Sequence, residues 1–277
     1  MPEMPEVEII RRIIEPQIKG QKIRNVRINH AQIIAYPEEG WFVQSLTGQT
    51  VKNMTRRGKF LTVHFESGDR LVLHLRMTGQ LLVTPAAYPE EKHTHLIAEL
   101  SGGNQIRYMD VRRFGRFWFL KTDEKDTVTG QDKLGVEPLE DALTAAYLQE
   151  KMGKRKKSMK EMLHDQSIVA GIGNIYSDEI LYAAGIYPEE KCANLGSDDW
   201  NRLAEAIKEI IAWGIDTNEM TPEEYLEGRG KEYRNMPHLR VYGREAQPCN
   251  RCGQAIERIM IGGRSSYYCP VCQRKKI

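Results

Sequence analysis

The 277-residue sequence contains no apolar run long enough to span a bilayer, and it opens Met-Pro-Glu where an exported chain would carry a basic, apolar leader. Both features point away from a secreted or membrane protein and predict a cytoplasmic one. An excess of one charge is missing too: 40 Lys and Arg against 38 Asp and Glu leave a net +2, which by itself names no partner. Internal repeats and low-complexity tracts are absent. With 40% hydrophobic and 28% charged residues, the composition is that of a folded globular chain rather than a disordered one. The length allows two modest domains, each burying its own core.

The charge is unevenly spread. Residues 221–277 hold 11 Lys and Arg against 6 Asp and Glu, and the run Lys151-Met-Gly-Lys-Arg-Lys-Lys-Ser-Met-Lys160 has no acid at all. Such clusters suit a phosphate-tracking face, although a plain solvated surface would read the same.

Pro5 suits a first helical position, and Val7, Ile10, Ile13, Ile14 and Ile18 recur at helical spacing until Gly20. Strand-like stretches follow at 22–28, 50–54, 60–65, 70–75, 81–84, 95–100, 105–110 and 115–120, several separated by Gly-containing or charged turns. That rhythm predicts an antiparallel sandwich or barrel. Residues 127–140 are polar and without apolar periodicity, which marks a linker. Helices are expected over 143–152, 158–164, 175–184 and 198–214, and short strands return around two Cys pairs.

Cys249-Asn-Arg-Cys252 is followed, after sixteen residues, by Cys269-Pro-Val-Cys272. Two such turns can place four thiolates tetrahedrally around one zinc, with a hairpin between them. Disulfides are the alternative, and an intracellular setting disfavours them. A closed four-thiolate site has no open coordination position, so the zinc expected here is structural. It would hold residues 259–268 rigid, with Arg264 at the tip among small neighbours that admit a phosphate. Cys192 stands apart as a buried structural thiol. A ribbon alone would define a binding module and not an enzyme.

The opening Met1-Pro2-Glu3-Met4-Pro5-Glu6 is the most unusual feature. Removal of Met1, common before a small residue, would leave a secondary amine at Pro2. Such an amine can attack a carbon bearing a leaving group and form an iminium. A helix starting at Pro5 turns its positive end towards this amine and favours its neutral form. Glu3 and Glu6 lie close enough in sequence to move protons around it, whereas Glu8 should sit farther round the helix and is given no role. The plain alternative is that Pro-Glu pairs merely start a helix, their acids matched to its dipole.

These features occur in order with Arg56-Arg-Gly-Lys-Phe60, His74-Leu-Arg-Met77, Asp110-Val-Arg-Arg-Phe-Gly115 and Val169-Ala-Gly-Ile-Gly-Asn-Ile-Tyr176. Over nearly the whole chain the sequence closely resembles the formamidopyrimidine-DNA glycosylase and endonuclease VIII family. The resemblance implies an α+β fold: an N-terminal helix-capped antiparallel β-sandwich (1–130), a linker (131–141), a helix–two-turn–helix domain (142–240) and a four-cysteine zinc ribbon (241–277). DNA would run through the cleft between them. It implies Pro2 as the nucleophile on the anomeric carbon, Glu3 as proton donor to the opening sugar, Glu6 as a supporting carboxylate and Lys59 as an active-site lysine beside the lesion phosphate. Met77, Arg112 and Phe114 match residues that fill the gap left by an extruded base. Read without the family, Met77 and Phe114 would be core residues. Met at the first of these positions, where Leu would suggest endonuclease VIII, leans towards the formamidopyrimidine branch. His74, Lys160, Asn174 and Arg264 are implied DNA contacts. Gly171-Ile-Gly-Asn174 is then a tight turn of the helix–two-turn–helix; as a dinucleotide fingerprint it lacks its third Gly and a preceding strand.

The resemblance lapses over 215–235, where a Gly/Ser/Thr-rich stretch over the lesion is replaced by an acidic, partly helix-like one. The expected protein is therefore a monomeric base-excision glycosylase and abasic-site lyase with one structural zinc, acting on damaged double-stranded DNA. Formamidopyrimidines and oxidised purines are its expected substrates. An enzyme for oxidised pyrimidines or bare abasic sites, and a non-catalytic zinc-ribbon protein that only binds damaged DNA, are the alternatives.

Overall fold

A computed structural model of the chain describes residues 2–275. They form two compact units: Pro2 with Glu6–Asp132 and Glu219–Tyr233, and Glu3–Pro5 with Lys133–Asn218 and the residues from Arg234 onward.

Helix α1 (Met4–Ile18) leads into the first unit. Its Val7, Ile10, Ile14 and Ile18 are buried on one face. On the other face Glu8 pairs with Arg11 and Arg12, and Arg11 with Glu15. There follow β1 (Ile23–Ile28), β2 (Ile34–Tyr36), α2 (Glu39–Leu46), β3 (Val51–Arg57), β4 (Phe60–Phe65), β5 (Arg70–His74), β6 (Gly79–Pro85), β7 (Thr94–Leu100), β8 (Asn104–Asp110) and β9 (Arg116–Leu120). The sheets run β2-β9-β5-β4-β3 and β1-β7-β8-β6. Tyr108 of β8 meets Phe117 of β9 edge-on at 4.8 Å between ring centroids, joining the sheets through their inner faces. Glu8, given no role from sequence, ties α1 to β3: it accepts from Arg56 at 3.2 Å, while Glu15 accepts the Met54 N–H.

Two elements were not expected. β2 has three residues, and α2 buries only Phe42 and Leu46, so neither builds a readable period. β2 pairs with β9 in parallel, a departure from the antiparallel pairing of all the other named strands.

The second unit holds α3 (Ala145–Met152), α4 (Met159–Leu163), α5 (Asn174–Ala184) and α6 (Ser197–Thr217). Ser158 and Glu161 form a capping box that starts α4, and left-handed Gly185 ends α5. Gly214 of α6 leaves room for the Tyr176 ring of α5; a Cβ there would sit 2.5 Å from the Tyr176 hydroxyl.

The chain then returns to the first unit with α7 (Pro222–Glu227), capped by Thr221 and Glu224. Residues 219–233 thus group with the first unit, inside the span 142–240 expected to form the helical DNA-binding domain. Tyr225 is buried and donates its hydroxyl to the Leu81 carbonyl at 3.2 Å, and left-handed Gly230 packs under the Tyr225 ring and beside Leu82. The final hairpin, β10 (Glu257–Ile261) and β11 (Arg264–Tyr268), turns through Gly262 and Gly263 at φ +54° and +76°, the two-residue turn that needs left-handed residues.

Candidate active site and nucleic-acid interface

Glu3 is buried, and its side chain caps α5. Its Oε2 accepts the Gly173 N–H at 2.6 Å and the Tyr176 N–H at 3.3 Å, and Oε1 accepts the Ile175 N–H at 2.8 Å. These are the unpaired amides of a helix's first turn, which favour an anion. The Met4 N–H donates to the Gly171 carbonyl at 3.0 Å, so the backbone beside Pro2 is held as well. Gly171 can adopt φ +92° for the turn, and Gly173 leaves the carboxylate its space. Pro2 is buried. The expected removal of Met1 lies outside the described residues.

Within the first unit, Glu6 is buried in the first turn of α1, and Lys59 is buried after left-handed Gly58 in the β3–β4 turn. Arg56 stiffens that turn by donating to the Gly58 carbonyl at 3.1 Å. β4–β5 pairing sets Phe60 opposite His74. Burial, with the Arg76 and Lys59 cations adding to it, pushes the His74 imidazole down to about 3. The ring is therefore neutral near pH 7. Its Nδ1 accepts the Arg76 N–H at 2.9 Å, which leaves Nε2 to carry the proton as a neutral donor.

The β5–β6 and β8–β9 loops bring Met77, Arg112 and Phe114 together. Met77 and Phe114 are 43% and 46% exposed, so the reading as core residues fails. The Arg112 guanidinium lies 4.6 Å over the Phe114 ring and donates to the Met77 sulfur at 2.8 Å. Sequence reading missed what aims them. The fully buried Asp110 carboxylate accepts from the Thr78 hydroxyl, the Tyr108 hydroxyl (2.9 Å) and the N–H groups of Arg112 (3.1 Å) and Gly115 (2.9 Å). One carboxylate thus braces both loops. Burial would raise it, but these donors outweigh burial and hold it below the usual carboxylate range. The signal in the sequence was an Asp heading the Asp110-Val-Arg-Arg-Phe-Gly115 stretch.

In the second unit Arg264 is exposed at the start of β11. Half-buried Asn174 turns its amide to the Ser265 carbonyl at 3.0 Å, bonding the start of α5 to the ribbon hairpin. Lys160 departs from expectation. It is 1% exposed, and its ammonium donates to Asp178 at 2.6 Å and to the Asn174 carbonyl at 2.9 Å. Enclosed in this way, the ammonium braces the turn between Asp178 and the start of α5. Asp178 also accepts from the Ser266 hydroxyl and the Tyr267 N–H, and neighbouring Glu179 accepts the N–H groups of Arg240, Val241 and Tyr242. Burial pushes the Asp178 carboxyl up to about 6 despite the Lys160 ammonium beside it. Two inward carboxylates of α5 thus seat the ribbon.

The sulfurs of Cys249, Cys252, Cys269 and Cys272 lie within 4.8 Å of one another, with 3.9 Å between Cys249 and Cys272 and 3.5 Å between Cys252 and Cys269. Tetrahedral thiolates around zinc would lie about 3.8 Å apart. The Arg251 N–H points at Cys249 and the Cys272 N–H at Cys269, each at 3.4 Å. Four thiols with inward amide donors fit one structural zinc. Cys192 is separate and buried, its thiol pushed up to about 11 by burial.

Comparison with known proteins gives matches along almost the whole chain. Residues 1–117 match the formamidopyrimidine-DNA glycosylase N-terminal domain, 134–224 the H2TH domain of the same proteins, and 246–274 a zinc finger found in FPG and IleRS. The chain is 40% identical over 276 residues to a formamidopyrimidine-DNA glycosylase of Pelotomaculum thermopropionicum and 43% identical over 277 residues to one of Desulforamulus reducens, covering 100% of both chains each time. Among solved structures it is similar to Lactococcus lactis Fpg bound to DNA containing an oxidised pyrimidine (TM-score 0.91) and to DNA containing FAPY-dG (TM-score 0.90). Identity is 35% in both cases, over 99% of this chain and 100% of the other.

Proposed function

This chain belongs to the formamidopyrimidine-DNA glycosylase family, and on that premise we propose that it excises oxidised bases, formamidopyrimidines and oxidised purines foremost, from double-stranded DNA and then cuts the strand as an abasic-site lyase. The observation that carries this reading is Pro2, one peptide bond from a carboxylate fixed by three amide N–H groups.

With Met1 removed, the Pro2 nitrogen attacks C1′ of the damaged nucleoside, and the bond from C1′ to the base breaks. Glu3 takes the proton that the Pro2 nitrogen sheds on attack and returns it to the sugar oxygen as the ring opens, leaving an iminium between Pro2 and C1′. Loss of a C2′ proton then expels the 3′ phosphate, and a second elimination expels the 5′ phosphate. Glu6 supports the proton transfers. Lys59 and neutral His74 supply a cation and an N–H donor to phosphate oxygens. Met77, Arg112 and Phe114 enter the duplex where the base has left, offsetting the few kcal/mol of lost stacking and pairing. Asn174 and Arg264 hold the backbone, and zinc on the four cysteines keeps the hairpin behind Arg264 rigid. The enzyme acts as a cytoplasmic monomer.

Borohydride trapping on an abasic duplex tests the chemistry. The expected result is a covalent adduct, lost in Pro2→Gly; DNA binding without an adduct would make the protein a binding module. A second reading, preference for oxidised pyrimidines, is permitted by the divergent acidic 219–233 segment with its helix α7. Strong preference for thymine glycol across matched duplexes would establish it over the purine reading.

A further inference from the structure

The basic run of residues 154–157 has no part in the chemistry above. Lys154, Arg155, Lys156 and Lys157 form the loop between α3 and α4, and all four are exposed. Each end of the loop is anchored. The Arg155 N–H closes onto the Met152 carbonyl at 2.8 Å. At the other end Ser158 is buried, bridges to Lys191 and gives both its N–H and its hydroxyl to Glu161. The Met159 N–H then donates to the Glu190 carbonyl. A run that merely kept the chain soluble would not need to be pinned at both ends.

Its position matters more. The first turn of α4 touches the ribbon turn: a Cβ at Gly262 would lie 3.6 Å from Glu161 Cγ. The next residue but one is Arg264, already assigned to the DNA backbone. The 154–157 loop, exposed Lys191 and Arg264 therefore border one short stretch of α4. The acid in that turn, Glu161, is held below the usual range by the Ser158 donors and spends its oxygen on the capping box.

We propose that the 154–157 loop, with Lys191, extends the phosphate track of Arg264 along the backbone of duplex DNA flanking the lesion. The proposal rests on the duplex-DNA reading of the ribbon site. Four residues span at most about 13 Å, enough to face roughly two phosphates, and each neutralised phosphate contributes about 0.9 to the salt dependence of binding.

The test compares wild type with a variant carrying K154Q, R155Q, K156Q and K157Q. Affinity for abasic duplexes is measured over a salt series, once with DNA covering only the lesion and its nearest neighbours and once with DNA extending several helical turns. On long DNA the slope of log K against log salt should become shallower by roughly 2 in the variant, with a much smaller change on short DNA. An unchanged slope on long DNA, while Arg264→Gln still flattens it, overturns the proposal and leaves the repair reading intact. Equal loss on short and long DNA also overturns it, because the loop would then act at the lesion. If wild type fails to bind either duplex, the repair reading itself falls. Zinc content and unfolding midpoint show that the variant is folded.

Discussion

Glu3 fills the space that a side chain at Gly173 would need. A Cβ on Gly173 would lie 2.6 Å from Glu3 Oε1 and 2.8 Å from Oε2, and the Gly173 N–H is the shortest of the three amide bonds to that carboxylate. Replacing Gly173 with Ala must therefore displace the carboxylate or the first turn of α5. Expected is a fall in base excision of 10²-fold or more, comparable to Glu3→Gln and within the usual worth of a positioned proton-transfer group. Single-turnover kinetics on a lesion duplex, with circular dichroism to verify folding, would decide it. Near-wild-type excision by Gly173→Ala would remove Glu3 from the chemistry.

Asp110 bonds both the β5–β6 and the β8–β9 loop, so Asp110→Asn should loosen Met77, Arg112 and Phe114 together. Excision of a paired lesion should fall more than ten-fold, with a smaller loss in borohydride trapping on a single-stranded abasic site. A general folding defect would lower both equally.

The same residue predicts a pH dependence. Its folded value lies below its ordinary 3.8, so its stabilisation is complete above that value and is lost as pH falls through the lowered one. The unfolding midpoint of wild type should exceed that of Asp110→Asn most at neutral pH. The gap should narrow below pH 3.8 in denaturant titrations.

Lys160 and Asp178 form a buried pair, with side chains 1% and 0% exposed. Lys160→Met takes away the cation that holds the Asp178 carboxyl down, leaving it enclosed without its partner and driven towards its protonated form, which should cost about 3–5 kcal/mol. Adding Asp178→Leu should restore part of that stability in urea unfolding. If Lys160→Met instead kept full stability and weakened DNA binding alone, Lys160 would be a phosphate contact after all.

Zinc removal should act at a distance from the metal. The Tyr182 hydroxyl of α5 meets Cys249 Sγ at 3.2 Å, and Tyr182, Val241, Cys249, Ile256 and Cys269 share one apolar cluster. Chelation should release one zinc per chain, lower the unfolding temperature and reduce affinity for abasic DNA, with activity returning when zinc is restored. Native mass spectrometry gives the stoichiometry and calorimetry the shift.

Much of the architecture was legible because it is written in short periods. Val7, Ile10, Ile14 and Ile18 mark α1 at helical spacing, and the strands announce themselves between turn residues. α2 and β2 were not legible: one apolar pair four residues apart, or a three-residue strand, makes no period, and their place depends on Phe117 and Trp118 far along the chain. The acidic 219–233 segment was read as partly helical, but its unit was decided by where Tyr225 finds apolar cover and a carbonyl, which is Leu81.

By itself the sequence determined the local chemistry: a proline next to a carboxylate at the start of a helix, and four cysteines spaced for one metal. Both depend on residues a few positions apart, where covalent geometry limits the outcome. Only the tertiary structure decided how distant groups share one charge or one space. It set Glu3 on amides 170 and more residues away, turned Lys160 inward and hung two loops on Asp110. A buried charge must find its partner wherever packing brings one, and no spacing within the chain records where that will be.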